Sequence, residues 1–364
     1  MGAVRSLRFW LTLAVVASLS AFCGCQREAP VSFPDPELAA AVRDALGIVD
    51  RPIRRADLRR LTELDASSRA IARLDGIEAC GELRALDLSE NHIRDLQPLS
   101  GVRRLERLIL RSNRIEDVTP LAGLSALRVL DLDFNTITDV DPLKDLSELE
   151  WLGLWNSRVR RVDALAGLAA LLELGLGGNP IEDPTPLGEL TKLEWLGLPN
   201  TGIDDIGFVA GMLAMKELGL EGNRIRDLTP VVALSHLERL GLGSNEIVDV
   251  SPVAQLTGLR QLSLWGNEIS DVAPLAGLVE LEKLWLDGNP ILETDALAGL
   301  TSLRILGLSD TLVADLSPLL RNPGLGAGDE VDVSRTPADR ADGDETQRAI
   351  DVLESRGVVV RRDP

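Results

Sequence analysis

Between residues 91 and 311 a pattern of the form L-x-x-L-x-L-x-x-N-x-I-x-D-L-x-P-L returns every twenty-two residues without an insertion or deletion. Asn91, Asn113, Asn135, Asn179, Asn223, Asn245, Asn267 and Asn289 hold its polar slot, and Ser157, Thr201 and Thr311 hold it in the three remaining turns. A fixed period with one apolar face per unit describes stacked supersecondary units, none of which can bury that face alone. The chain is therefore committed to a solenoid. Such a coil offers a long surface rather than an enclosed cavity, which points to binding before catalysis.

Each turn can be read from its spacing. Around Asn91, Leu83, Leu86 and Leu88 precede the slot and Ile93, Leu96 and Leu99 follow it, so six apolar side chains point to one axis. Leu86 and Leu88 alternate with Ala85, Asp87 and Ser89, the period of a short strand with one buried face, and adjacent turns align these strands in parallel. The slot amide, with its donors and acceptor, can satisfy loop backbone groups that stacking buries, while a Ser or Thr hydroxyl meets only part of that demand. Further on, Thr119-Pro120, Asp141-Pro142, Thr185-Pro186, Thr229-Pro230, Ser251-Pro252 and Ser317-Pro318 are expected to start a 3₁₀ turn or single α turn, the first residue as N-cap. Asp95, Asp117, Asp139, Asp183, Asp205, Asp227, Asp249, Asp271 and Asp315 recur four residues after the slot. One carboxylate per turn with apolar flanks suits a local side-chain to backbone bond rather than a calcium ladder, so no metal is assigned.

Composition narrows the partners. The chain has 364 residues, 45% hydrophobic, with a formal net charge of −19. It carries no broad basic field for phosphate backbones, which argues against nucleic acid. Residues 1–25 differ from the rest: Arg5 and Arg8 precede an uncharged run from Phe9 to Phe22, followed by Cys23, Gly24 and Cys25. This reads as an export signal resembling those of bacterial lipoproteins, with Cys25 as the lipidated residue, Cys23 as the poorer candidate, and an ordinary cleaved signal or a short uncleaved anchor as the alternatives. Cys80, eleven residues before Asn91, aligns with Val102, Leu124 and Leu146 and reads as a small core hydrophobe. Residues 26–60 contain a linker and a proline-started helix that caps the N-terminal end. Residues 61–320 carry the repeats, starting from a degenerate turn with Arg69 in the slot. Residues 321–364, with a late strand at Val331–Val333, a helix from about Asp344 to Arg356 and a strand at Val358–Val360, form the C-terminal cap.

The repeats resemble the leucine-rich repeat family, and the Asn, Ile and Asp-Leu-x-Pro-Leu elements at this spacing resemble its internalin-type branch. The resemblance covers roughly residues 61 to 320. It implies an α/β repeat solenoid: a curved coil with a parallel β-sheet on its concave face, short 3₁₀ or α turns on its convex face, and a ligand, usually another protein, held by the concave side. No immunoglobulin-like module or wall-sorting tail is legible after the repeats, so a role in host-cell invasion is not implied.

The exposed strand positions lie six, four and two residues before each slot. All five tryptophans beyond the signal fall there: Trp151, Trp155, Trp195, Trp265 and Trp285. Solvent-facing aromatics of this kind are enriched at interface hot spots. Gly153, Gly175, Gly197, Gly219 and Gly241 occupy the middle row in five successive turns. They mark either a trough approached by a ligand or room for the rings to lie flat on the sheet. Asp131, Asp133, Glu173 and Glu217 stand among the rings and favour a partner with cationic groups. A protein or peptide ligand is the leading reading, a glycan or cell-wall ligand the second, and a structural lipoprotein without a specific ligand the third. His92 and His236 lie on separate turns without a convergent partner, so no catalytic residue and no cofactor is expected.

Overall fold

The computed structural model describes residues 29–339 and 344–363; the expected signal, with Cys23 and Cys25, lies outside the described residues. Among the described residues fourteen short strands form one parallel sheet in strict chain order. They are β1 (Glu63–Asp65), β2 (Ala85–Asp87), β3 (Arg107–Ile109), β4 (Val129–Asp131), β5 (Trp151–Gly153), β6 (Glu173–Gly175), β7 (Trp195–Gly197), β8 (Glu217–Gly219), β9 (Arg239–Gly241), β10 (Gln261–Ser263), β11 (Lys283–Trp285), β12 (Ile305–Gly307), β13 (Glu330–Asp332) and β14 (Val359–Arg361). The middle residue of each strand pairs with its equivalent in the next turn, Leu64 with Leu86, Leu86 with Leu108 and onward to Leu306. The chain returns through 3₁₀ turns such as Thr119–Leu121 and Thr229–Ala233. Between sheet and returns the leucines, isoleucines and valines make one continuous core. Cys80 is sealed within it, and burial pushes its thiol up to about 12.

The slot amides bind two turns at once. Asn91 donates through Nδ2 to the carbonyl of Leu88 in its own turn at 2.9 Å and to that of Ala66 in the preceding turn at 2.9 Å, while its Oδ1 accepts from the preceding turn's Ile71 N–H at 2.9 Å. Asn113, Asn135, Asn179, Asn245, Asn267 and Asn289 repeat the arrangement, each Oδ1 receiving an N–H from twenty residues earlier. The hydroxyl slots do less. Thr201 and Thr311 donate only to a carbonyl of their own turn, Leu198 and Leu308, or to the next amide, while the Ser157 Oγ is buried without a partner. In every turn the residue before the slot has a left-handed backbone, from Glu90 (φ 56) and Phe134 (φ 55) to Gly222 (φ 70) and Asp310 (φ 55), which swings the chain off the strand.

The Asp row acts locally, and it corrects the expected caps. Asp117 Oδ1 accepts from the Thr119 N–H at 2.8 Å, Asp227 from Thr229 at 2.8 Å and Asp315 from Ser317 at 2.7 Å. These carboxylates open the returns, 3₁₀ in the first two cases and a single α turn after Asp315; the Thr, Ser or Asp before each proline is instead the first residue of the return, and no cap residue of these returns bonds through its side chain. An aspartate two residues upstream accepts the N–H of the first residue of the return, a local side-chain to backbone bond of the kind that short acidic side chains favour in turns.

Helix α1 (Pro36–Leu46) and the single turn α2 (Arg55–Leu58) precede the sheet. Asp35 caps α1 through Glu37 and Leu38 and also accepts from Ala72 and Arg73 of the first turn, so one carboxylate joins the helix to the coil. Leu38, Ala41, Val42 and Leu46 face the core. At the other end α3 (Ser317–Leu320) replaces a 3₁₀ return, and α4 (Asp344–Ser355) runs between β13 and β14 with Ala349, Ile350 and Leu353 buried.

Asn223 makes the densest set of slot bonds, to Leu198 and Leu220 carbonyls and from the Thr201 and Gly202 N–H groups. Asn223→Ala should cost about 1 to 3 kcal/mol of stability because those groups stay buried without partners. Ser157→Asn, which restores an amide where the slot oxygen is unpartnered, should leave the thermal midpoint unchanged or raise it. Denaturant titration of both variants checks the ladder, and a large loss in the Ser157 variant would contradict it.

Candidate functional site

Side chains six, four and two residues before each slot leave the sheet on the face opposite the leucines, since successive strand residues alternate sides. Trp151, Trp155, Trp195 and Trp285 are half-buried on that face, and Trp265 is 43% exposed. None belongs to the core cluster.

What half-buries the rings is the glycine row. A Cβ on Gly153 would meet the ring of Trp151, one on Gly175 or Gly177 would meet Trp155, one on Gly197 would meet both Trp195 and Trp155, and one on Gly243 would meet Trp265. The rings therefore lie down on strands stripped of side chains, the second of the two readings that the glycines allow. Trp155 and Trp195 sit with centroids 6.3 Å apart and planes tilted by 35°. With Trp151 they make an aromatic floor over β5, β6 and β7.

Gly219 and Gly241 differ, because no ring covers them; the carboxylate of Glu221 lies there instead. This uncovered stretch is the base of an open cleft of about 320 Å³, with Trp155, Trp195 and Pro199 on one side, Trp285 on the other, and Arg239, Gln261 and Ser263 between them. A second cleft, about 450 Å³, opens on the far side of the floor and is lined by Arg107, Ile109, Val129, Asp131, Trp151 and Glu173.

The acidic residues are less alike than their spacing suggests. Glu173 is exposed between Trp151 and Trp195 and forms no ion pair among the described residues. Glu217 is not available in that way, because it pairs with Arg239 on the next strand. Asp131, expected at the surface, is only 7% exposed, at the base of the second cleft beside its register neighbour Gly153, over which the Trp151 ring lies. Its Oδ1 accepts the Asp133 N–H at 3.0 Å, and Asp133 Oδ1 in turn accepts the Trp155 N–H at 2.7 Å. Burial raises the Asp131 carboxyl above its usual range. Asp133 is pushed up to about 6, by burial first and by the charge of Asp131 second, against the pull of the Trp155 N–H and Arg111.

Several contributors escape a reading of the spacing. Glu221, Gln261, Ser263 and Arg239 line the first cleft, although all four occupy the exposed strand positions that flagged the tryptophans. Phe134 is 54% exposed and held at φ 55 beside Asp133 and Trp155, an unfavourable backbone for a bulky residue. The histidines stay apart, both exposed on separate turns.

A coil of leucine-centred parallel strands with short 3₁₀ returns and a side-chain-bearing concave sheet is a leucine-rich repeat protein. A profile described as "Leucine Rich repeats (2 copies)" matches residues 103–145. The chain is similar to the internalin InlF of Listeria monocytogenes, with 32% identity and a TM-score of 0.73 over 82% of this chain and 96% of that one. It is also similar to the functional domain of InlJ from the same organism, with 26% identity and a TM-score of 0.72 over 84% of this chain and 65% of that one. A leucine-rich repeat protein of Leptospira interrogans shares the fold at 19% identity and a TM-score of 0.65, over 88% of this chain and 98% of that one. Comparison with curated proteins finds no match. The chain belongs to the internalin-like leucine-rich repeat family, whose fold is typically a protein-binding scaffold.

Two measurements test this description of the face. Trp195→Ala should leave a folded protein, whereas Leu196→Ala, one residue on and fully buried, should cost about 2 to 5 kcal/mol. Equal losses would place the ring in the core. Asp133 has a folded value above its ordinary 3.8, so its protonated form is favoured by folding and its contribution is fully present below about 4 and lost as pH rises through about 6. Asp133→Asn keeps an acceptor for the Trp155 N–H and removes the buried charge. It should gain on the order of 1 to 3 kcal/mol at pH 7.5 and nothing at pH 4, read from thermal midpoints at the two pH values.

Proposed function

We propose that the protein is a non-enzymatic scaffold of the bacterial cell envelope that holds a protein or peptide partner against its tryptophan-rich concave face. The observation that carries the reading is the glycine-backed aromatic floor: five tryptophans on one face, Trp151, Trp155 and Trp195 over β5 to β7 with the last two in ring contact, and an open cleft on either side of that floor. Large rigid rings beside clefts are the side chains that anchor partners most strongly, because they bury much area at little cost in rotamer freedom. Trp151, Trp155, Trp195, Trp265 and Trp285 supply that area, and Glu173, Asp131 and Asp133 supply acidic groups near it. A glycan is the second reading, favoured by the rings lying flat, since sugar rings stack on such surfaces.

Residues 1–25 act in this reading as the export signal and Cys25 as the lipidated residue, with 26–60 and 321–364 flanking the repeats of 61–320. No helix among the described residues is long and apolar enough to cross a membrane; in this reading the lipid on Cys25 supplies the attachment.

Pull-down of envelope proteins with the wild-type chain and with Trp151→Ala, Trp195→Ala and Trp285→Ala, run beside a glycan array, separates the two ligand classes. Loss of an anchoring ring should weaken capture by about 2 kcal/mol or more, and His236→Ala should not. If the ring variants bind every partner as the wild type does, the concave face is not the site. Cys25→Ser should release the protein from membranes; a variant that stays membrane-bound, together with a wild-type mass lacking an acyl group, would overturn the lipid anchor.

A further inference from the structure

We propose that the segment recognised on this face is a basic peptide, extended across the strands, that places one lysine or arginine in each of the two clefts. The inference rests on the concave face being the binding surface, and it names the chemistry that surface selects.

The charges on the face are sorted in a particular way. Arg239 is neutralised by Glu217, and Arg111 lies 3.7 Å from Glu90. The carboxylates beside the rings have no such partner: Asp131, Asp133, Glu173 and Glu221 form no salt bridge among the described residues. Asp131 lies more than nine-tenths buried at the base of the second cleft, where Ile109 and Val129 provide an aliphatic wall and Trp151 an aromatic one. A carboxylate there has given up most of its water without gaining a paired counter-ion, Arg111 and Arg107 acting on it only from a distance. An incoming ammonium or guanidinium supplies that counter-ion, and the Trp151 ring attracts the same cation through its face. Arg107, the nearest cation lining the cleft, is exposed at its rim and is not bonded to Asp131. In the first cleft the Glu221 carboxylate rests on the bare backbone of Gly219 and Gly241, between Trp195 and Trp285. The flat glycine base lets a long side chain lie down between the rings, with its charged end at Glu221.

The spacing defines the peptide. Asp131 on β4 and Glu221 just beyond β8 are four strands apart, about 19 Å at roughly 4.8 Å per strand. An extended chain advances about 3.3 Å per residue, so the two cations are about six residues apart. Between them the peptide crosses the floor of Trp151, Trp155 and Trp195 and passes Glu173. The net charge of −19 draws basic segments in from a distance, but only the clefts select their spacing.

The test uses the full chain and three synthetic decapeptides of glycine and serine: one with arginines six residues apart, one with them two apart, and one with glutamates in place of the six-apart pair. Titration calorimetry in 150 mM salt should show the six-apart arginine peptide binding at least tenfold more tightly than either of the others. Glu221→Gln and Asp131→Asn should each weaken it about tenfold with the thermal midpoint not lowered, whereas Glu280→Gln, an equal loss of charge on the outer surface, should not. Glu221 is partly exposed, so its variant folds even if the Asp131 variant does not. Equal binding of all three peptides, equal effects of Glu221→Gln and Glu280→Gln, or binding of chitohexaose in place of the peptide would overturn the proposal. Should the arginine peptide fail while the tryptophan variants still lose a captured protein, the face remains the binding site and only its basic-peptide specificity is wrong.

Discussion

A side-chain amide shared between two turns is the interaction on which the rest of this molecule depends. A twenty-two-residue turn with a three-residue strand and a 3₁₀ return leaves many loop N–H and C=O groups without helix or sheet partners, and the core they border is apolar. Burying such groups unpaired would cost about 1 to 3 kcal/mol each. The slot asparagine satisfies three of them in one stroke and, by reaching a carbonyl twenty-five residues back, fixes how one turn sits on the last. Register follows from that bond as much as from the leucines, because a hydrophobic face alone would tolerate a slipped turn.

Uniform register is what gives the concave face its meaning. Since every strand presents the same three rows, a glycine in one turn lies beside the ring of a neighbouring turn at a predictable place, and Trp155 can extend over Gly175, Gly177 and Gly197 of two following strands. The strands lose some stability by carrying glycine, and the face gains rings that are immobilised before any ligand arrives. Phe134 fits the same pattern, an exposed aromatic kept in a left-handed backbone at the edge of that floor.

Most of the fold was legible because period and polarity are properties of the chain: the slots, the core leucines, the buried Cys80, the proline-started helix before Gly47 and a late strand, expected at Val331–Val333 and found one residue earlier, all follow from spacing. The site was legible by row but not by residue. Spacing identifies Asp131 and Glu217 as facing outward, yet whether a carboxylate is shielded by the ring of Trp151 or neutralised by Arg239 depends on neighbours one turn away and on side-chain direction. The acceptors at the starts of the returns were misassigned for a related reason, since Asp and Thr two residues apart both suit the role and only geometry shows which one receives an N–H. The left-handed residue before each slot left a trace in Gly178, Gly222 and Asn200, but Glu90, Ser112 and Phe134 in equivalent places blur it.

The three hydroxyl slots give the coil an uneven stiffness. At Ser157 and Thr201 the slot side chain does not reach back to the preceding turn, so the joints between β4 and β5 and between β6 and β7 lack the amide link that the asparagine slots supply. Both joints lie directly behind the floor of Trp151, Trp155 and Trp195. A partner seated on the floor therefore rests on two turns that the amide ladder does not tie to the turns before them.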